Sequence, residues 1–201
     1  MNFVFPSNFV YWNKIENHNE IKKEYYPKIL NSQQKLQRKN KWLAKCTTSF
    51  GHEEENNIFA NDKFLNEVVW KSFDDMLEKN LTCYSLPSQS YLYEVWFNTY
   101  KEGDFQEVHD HQGANFVKDN AIHAMTYSAI YLMHLEEKNK TVFYQTSPCP
   151  GDYGKNNFCY TTEHIEEGNI IFFPSNLLHY VLPCSKNRCT VSFNIMSVYH
   201  V

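Results

Sequence analysis

The sequence predicts a mainly β protein, a jelly roll with N-terminal helices packed on one of its sheets. From residue 90 onward, short aromatic and β-branched segments recur at regular spacing and are separated by turn residues. Before that point, apolar residues instead recur at helical spacing. The chain of 201 residues suits one domain, with a helical support region over 1–89 and a jelly-roll core over 90–201.

Two segments of the N-terminal part are candidate helices. Between Ile15 and Arg38, apolar residues lie three and four positions apart, as in an amphipathic helix that Pro27 is expected to interrupt. The run over 60–80 has a cleaner apolar stripe, and Asn61 stands before it as a candidate N-cap. Such a stripe is typical of a helix that packs on a sheet.

The second part alternates between predicted strands and turns. The strands are expected over 90–100, 105–111, 124–135, 141–145, 169–173, 179–182 and 188–198. A loop is expected over 146–164, which is rich in proline and glycine. The segment 112–124 is long for a join between two strands, which favours a lid over a pocket.

Composition excludes several classes of protein. Hydrophobic residues make up 42% and aromatic residues 16% of the chain, too much for a disordered protein. The net charge is -4 and there is no long basic run, which argues against nucleic-acid binding driven by phosphate contacts. No apolar stretch reaches membrane-spanning length, and the N-terminus does not resemble a signal peptide. The six cysteines show no C-x-x-C spacing, so we expect reduced thiols in a cytosolic setting.

Three histidines form a candidate metal site. His109 and His111 lie two positions apart on a predicted strand, so their side chains point to the same side. His179 follows a distant strand and can close a third point around one ion. This is the layout of the facial iron(II) site of oxygenases, although three imidazoles also suit zinc or manganese. A histidine pair alone is a weak signal, and structural histidines are the alternative interpretation.

The last predicted strand carries one polar and one apolar face. Its polar residues, Arg188, Thr190, Ser192 and Asn194, alternate with apolar ones. Inside a barrel, such a polar face must line a wet pocket or bind a ligand. An arginine at its head can bind a carboxylate through a two-point fork. The alternative is a solvent-facing strand of a sandwich.

Several short motifs together resemble the 2-oxoglutarate- and iron(II)-dependent oxygenases of bacteria and tailed phages. The resemblance covers about residues 40–198, and it rests on the order and spacing of the motifs. The motifs are Trp42 with Thr47-Thr48-Ser49, Trp96-Phe97-Asn98, Gly103-Asp104-Phe105-Gln106, His109-x-His111, Tyr127-Ser128-Ala129-Ile130-Tyr131-Leu132, Gly168 to Ser175 with His179, and Arg188 with Ser192-Phe193-Asn194.

The resemblance implies a double-stranded β-helix fold and a dioxygenase that hydroxylates an unknown prime substrate. It implies that iron(II) is held by His109, His111 and His179. It also implies that Arg188 binds the distal carboxylate of 2-oxoglutarate, with dioxygen as the other cosubstrate. On the same expectation, Thr190 lies beside the arginine on the polar face, and either Asn98 or Tyr100 hydrogen-bonds the cosubstrate.

One position departs from the pattern of that superfamily. Its members more often have a carboxylate two residues after the first histidine, where this chain has His111. The nearest acid is Asp110, and strand alternation points it away from His109 unless a bulge intervenes. Replacing a carboxylate by an imidazole raises the net charge of an iron(II) site by one. That change tunes the redox chemistry, changes the metal, or marks a non-catalytic relative.

Two other functions stay open at this point. A three-histidine, cupin-like dioxygenase would work without 2-oxoglutarate, and Arg188 would then hold the carboxylate of the substrate. A non-enzymatic jelly-roll protein, such as a virion component, would use the same fold for binding or structure. Under all three interpretations we expect a cytoplasmic location, in the host cytoplasm if the source is viral.

Overall fold

Two antiparallel sheets form the core of the computed structural model, which describes residues 8–36, 45–59, 61–80, 87–113, 115–145 and 158–200. The strands are β1 (Tyr11–Lys14), β2 (Thr47–Thr48), β3 (Gln89–Tyr100), β4 (Gln106–His109), β5 (Phe116–Lys118), β6 (Ala121–Leu135), β7 (Thr141–Gln145), β8 (Phe158–Thr161), β9 (Asn169–Pro174), β10 (Leu178–Val181) and β11 (Arg188–His200). The seven-stranded sheet has the order β1-β9-β6-β11-β3-β2, with β5 paired to β6, and the four-stranded sheet has the order β4-β10-β7-β8. This arrangement confirms the predicted jelly-roll class.

The helices lie in the N-terminal part. They are α1 (His18–Gln33), α2 (Glu53–Asn56), α3 (Asp62–Leu65) and α4 (Lys71–Asn80), and a π-helical turn (Asn66–Trp70) joins α3 to α4. The side chain of Asn61 accepts a hydrogen bond from the Phe64 N–H at 2.9 Å, so it caps α3 as predicted. Among the described residues, no helix is long and apolar enough to cross a membrane.

Two apolar clusters separate the layers. Helical residues such as Ile29 and Phe73 share one cluster with the side chains on one face of the large sheet, among them Tyr131 and Phe193. The opposite face of that sheet contributes to a second cluster with Phe143 of the small sheet. The space between the two sheets is therefore closed by apolar packing along part of its length.

One glycine is required where β9 begins. Gly168 has a φ of +85°, a conformation that side-chain-bearing residues rarely adopt. A Cβ atom at this position would lie 2.8 Å from Cγ of His18. The glycine turn that the sequence shows before β9 thus lets the backbone pass close to the first turn of α1.

Three sequence predictions are wrong in detail. Helix α1 continues through Pro27 instead of breaking there, because Ile21, Tyr25 and Ile29 hold it against the sheet. The segment 112–124, expected as a join before a strand at 124, contains β5 and the first residues of β6, which form a hairpin, and its role as a lid stays a prediction. Positive φ angles at Asp119 and Asn120 match the tight turn that such hairpins need.

The third difference concerns the predicted loop over 146–164. Its end contains β8, which pairs with β7 on the small sheet. Residues 146–157 of that loop lie outside the described residues, as do Trp42, Cys83, Cys149 and the end of the first predicted helix at residues 37–38.

Candidate metal centre and adjoining cavity

The fold brings three imidazoles together between the two sheets. One ring nitrogen from each of His109, His111 and His179 lies within 4.8 Å of the others. His109 and His179 are direct register partners on β4 and β10, and their ring centroids are 4.3 Å apart. His111 lies just beyond β4, where its backbone N–H donates to the Ser175 carbonyl at 2.8 Å. Metal-bound nitrogens sit about 2.1 Å from the ion, so small side-chain rotations would bring all three onto one metal.

Each imidazole is oriented through its Nδ1 atom. Nδ1 of His109 lies 2.7 Å from the Glu107 carbonyl oxygen, and Nδ1 of His179 lies 3.1 Å from the Leu177 carbonyl oxygen. Nδ1 of His111 lies 3.0 Å from Oδ1 of Asn194. Since carbonyl oxygens only accept, each Nδ1 carries the proton and each lone pair resides on Nε2. That tautomer is the one in which Nε2 can bind a metal.

Burial also sets the charge of the three rings. It lowers the pKa of His109, lowers that of His111 to about 3, and takes that of His179 well below its usual range. The proximity of the other imidazoles lowers the pKa of His111 and His179 further. All three are therefore neutral at pH 7, as metal ligands must be.

A register shift in β4 turns an additional side chain toward this site. His109 pairs with His179, but Gln106 pairs with Val181. An interval of three residues on β4 therefore lies opposite an interval of two residues on β10, as in a β-bulge. Gln106 and His109 consequently line the same cavity. The Tyr100 hydroxyl donates to Oε1 of Gln106 at 2.9 Å, which fixes both side chains.

Arg188 lies buried at the other end of this cavity. Its Nη2 donates to Oγ1 of Thr141 at 2.6 Å and to Oδ1 of Asn139 at 3.2 Å. Its Nε and Nη1 are buried and have no hydrogen-bond partner among the described residues. Its guanidinium carbon lies 4.9 Å from the centre of the Tyr100 ring. Within the described part of the chain, no carboxylate pairs with this buried cation, so its charge and two donors fit an anionic ligand.

One narrow cavity joins the histidines to the arginine. Its walls include all four residues predicted to bind a cosubstrate, and its complete lining is Trp96, Asn98, Tyr100, Gln106, His109, His111, Ile130, His179, Val181, Arg188, Thr190 and Ser192. Oδ1 of Asn98 is buried without a partner among the described residues, while its Nδ2 lies 3.4 Å from Oγ of Ser192. The Tyr100 hydroxyl donates to Gln106 and its ring lies against the guanidinium, so a hydrogen bond from Tyr100 to a cosubstrate stays a prediction.

The polar face of β11 is interior. Arg188, Thr190, Ser192 and Asn194 are all at most 4% exposed, so the alternative of a solvent-facing strand is wrong. Asp110 is exposed instead, and its Oδ1 accepts from the Gln112 N–H. The departure at position 111 is therefore real in the structure: the imidazole faces the cluster and the neighbouring acid does not.

Sequence reasoning missed the residues that hold the arginine. Asn139 and Thr141 lie where a turn and a strand start were expected, and nothing in their spacing points to Arg188. Asn139 lies in a Lys-Asn-Lys turn and is only 1% exposed. Its burial results from tertiary contacts of the turn, so the local sequence does not predict it. The polar face of β11 was the available signal that such partners exist.

Known proteins match this chain in sequence family and in fold. The model of the family described as "Putative 2OG-Fe(II) oxygenase" matches residues 94–194. A solved prolyl-4-hydroxylase from Pseudomonas putida has a TM-score of 0.56 and 13% identity, over 95% of this chain and 94% of that chain. Viral collagen prolyl hydroxylase from Paramecium Bursaria Chlorella virus-1, solved with 2-oxoglutarate, has a TM-score of 0.54 and 14% identity, over 93% and 96%.

A third solved structure is similar in fold. HygX from Streptomyces hygroscopicus, with nickel and 2-oxoglutarate bound, has a TM-score of 0.55 and 8% identity, over 92% of this chain and 81% of that chain. No curated protein matches the sequence. At these identities the solved structures show a shared fold, whereas the matched family model covers half of the chain.

Proposed function

The chain belongs to the 2OG-Fe(II) oxygenase family, and we propose that His109, His111 and His179 hold its iron(II) while Arg188 binds the distal carboxylate of 2-oxoglutarate. The family uses iron(II), 2-oxoglutarate and dioxygen, so the protein is an oxygenase. We further propose that it is a hydroxylase of an unidentified prime substrate. The similar solved structures include two prolyl hydroxylases, which is the basis for hydroxylation as the outcome.

The buried, partly unpartnered guanidinium carries this proposal. An ionised arginine in a dry site is costly unless an anion meets it, and Nε and Nη1 of Arg188 have no partner among the described residues. The same cavity presents the three imidazoles. A dicarboxylate with a keto group next to one carboxylate offers an anion to the arginine and chelating oxygens to a metal. 2-Oxoglutarate has this chemistry.

The residues around the cavity have distinct tasks in this mechanism. Iron(II) held by His109, His111 and His179 would supply the activation of dioxygen for oxidation of a C–H bond, with 2-oxoglutarate converted to succinate and carbon dioxide. Arg188, held by Thr141 and Asn139, orients the distal carboxylate through a fork of donors. Trp96 and Ile130 supply apolar walls that exclude water from the reacting end, and Val181 supplies an apolar wall beside Tyr100.

Asn98 and Thr190 complete the cosubstrate site in this proposal. The amide of Asn98 now presents a buried oxygen without a partner. Rotation of that amide by half a turn exchanges oxygen and nitrogen, so the oxygen can accept from Ser192 and the nitrogen can donate to a carboxylate. Thr190 lines the same cavity with Arg188. Tyr100 contributes its ring beneath the guanidinium.

We also propose that the helical region 1–89 and the core 90–201 form one domain in a cytoplasmic protein. The single apolar cluster that contains residues of α1, α4 and the large sheet supports one domain. Free thiols at Cys159, Cys184 and Cys189 support a reducing compartment. Nucleic acid is not expected as a partner, because the net charge is -4.

Turnover of the cosubstrate tests the proposed function. Purified protein with iron(II) and dioxygen should slowly convert 2-oxoglutarate to succinate without a prime substrate, and His179→Ala should abolish this conversion. Anaerobic titration of iron(II) protein with 2-oxoglutarate should produce the weak visible charge-transfer band of the chelate. Metal binding without 2-oxoglutarate binding would instead favour a three-histidine dioxygenase. Tight cosubstrate binding without succinate under any condition would indicate a binding protein.

A further inference from the structure

The imidazole of His111 is held differently from the other two. His109 and His179 are oriented by backbone carbonyls, whereas His111 is oriented by the side chain of Asn194 on β11. Oδ1 of Asn194 also accepts from Oγ of Ser128 at 2.9 Å. Asn194 is only 4% exposed, so its amide oxygen lies in a site of low dielectric, where hydrogen bonds are strong.

The amide of Asn194 leads to a carboxylate. Its Nδ2 donates to Oε2 of Glu94 at 2.8 Å. Glu94 and Asn194 are register partners on β3 and β11, next to the register shift after Asn194, so the backbone places them side by side. Because a carboxylate only accepts, Glu94 fixes which end of the amide faces His111. Carboxylate, amide and imidazole thus form one continuous chain of hydrogen bonds.

This chain ends at the position where the sequence departs from the common pattern of the superfamily. A carboxylate there would bind the metal directly and bring one negative charge, but His111 brings none. We propose that Glu94 is a positioning residue that partly replaces the negative charge missing from the metal site. It does so by polarising the imidazole of His111 through the amide of Asn194. Hydrogen-bonded carboxylates raise the basicity of a metal-bound imidazole and fix its orientation. The proposal rests on the proposed function, since it needs His111 as a ligand.

The effect of Glu94 is measurable as metal affinity, independently of turnover. Glu94→Gln keeps an oxygen that can accept from Asn194 but removes the charge. We expect the variant to bind cobalt(II) about tenfold more weakly in competition with a chromophoric chelator. Its visible cobalt(II) bands should shift, because the donor strength of one ligand has changed. The unfolding midpoint of the metal-free variant should match that of the wild type.

Asp110→Asn is the matched control for a general loss of negative charge near the site. Asp110 is the sequence neighbour of His111 but is exposed and outside the chain of hydrogen bonds, so cobalt(II) affinity should change by no more than about twofold. An equal loss in both variants would overturn the role of Glu94. Unchanged affinity in Glu94→Gln would overturn it as well.

A double variant tests the direction of the hydrogen bonds. In Glu94→Gln with Asn194→Asp, the new carboxylate can accept from His111 and Ser128, and the glutamine amide can donate to it. Cobalt(II) affinity should return to within about threefold of the wild type, because the charge again reaches His111. Failure to recover, with the fold intact by circular dichroism, counts against the proposal. Absence of cobalt(II) binding in the wild type would overturn the metal site and the proposed function together.

Discussion

Adjacent residues Asp110 and His111 illustrate how one position decides the chemistry of the site. We predict that His111→Ala loses the metal, because it removes one of three ligands, and that Asp110→Asn retains it. Metal content after dialysis against trace iron(II) under anaerobic conditions is the measurement. Retention of one metal per chain by His111→Ala, together with its loss in Asp110→Asn, would show that the acid is the true ligand.

Arg188 supports a second prediction at the scale of one residue. Arg188→Met should weaken 2-oxoglutarate binding by about 2–5 kcal/mol, the cost of removing one partner of a buried, hydrogen-bonded charge pair. Isothermal titration of the metal-loaded protein under anaerobic conditions gives the affinity. Arg188→Lys is the control, since it keeps the charge but loses the planar fork and should fall between wild type and methionine. Equal affinity in all three would assign Arg188 another task.

At the scale of elements, Glu167 ties α1 to the large sheet. Its carboxylate accepts from Lys22 at 2.5 Å and from the Leu135 N–H at 2.6 Å, and it lies 3.1 Å from Nε2 of His18. Burial raises the pKa of this carboxyl, but the hydrogen bonds outweigh burial and lower it to about 2. The depressed pKa means that the charged form stabilises the fold above the usual pKa of a glutamate, and that this contribution fades as pH falls toward 2.

We therefore predict that Glu167→Gln lowers the unfolding free energy by about 1–3 kcal/mol at pH 7, a range reduced for partial solvent screening. The difference from wild type should shrink as the pH is lowered from 4.5 to 3. Urea unfolding of the metal-free proteins measures both. Glu16→Gln is the control: its ion pair with Lys71 is exposed, and no change is expected at either pH. A pH-independent difference for Glu167→Gln would indicate a packing effect instead.

Elements with strong periodicity could be predicted from the sequence, and those defined by tertiary pairing could not. Strand β3 was expected over 90–100 and extends over Gln89–Tyr100, because its aromatic and β-branched residues favour one conformation. Strand β8 was missed because its pairing with β7 compensates for a segment that begins among turn residues. The partners of Arg188 were missed because they join the arginine only across the assembled barrel.

For the whole molecule, metal binding should appear as thermal stability. A ligand that binds only the folded state adds about 2.7 kcal/mol at a concentration of 100 times Kd. For a chain of this size that corresponds to a rise in Tm of about 5–10 °C. Scanning calorimetry with and without cobalt(II) measures the shift, and His179→Ala should show none. A comparable rise in that variant would place the metal elsewhere.

The pairing of His109 with His179 has a consequence for how the protein folds. The two residues are direct neighbours across β4 and β10, yet most of the jelly roll separates them in the chain. Closing so long a loop lowers the conformational entropy of the chain before the contact contributes any stabilising energy. The pairing of β4 with β10 is therefore expected to form late in folding. The ion can then stabilise the native state without assisting the transition state. Added metal should slow unfolding and leave the refolding rate unchanged, and a nascent chain should acquire its iron only after the barrel has closed.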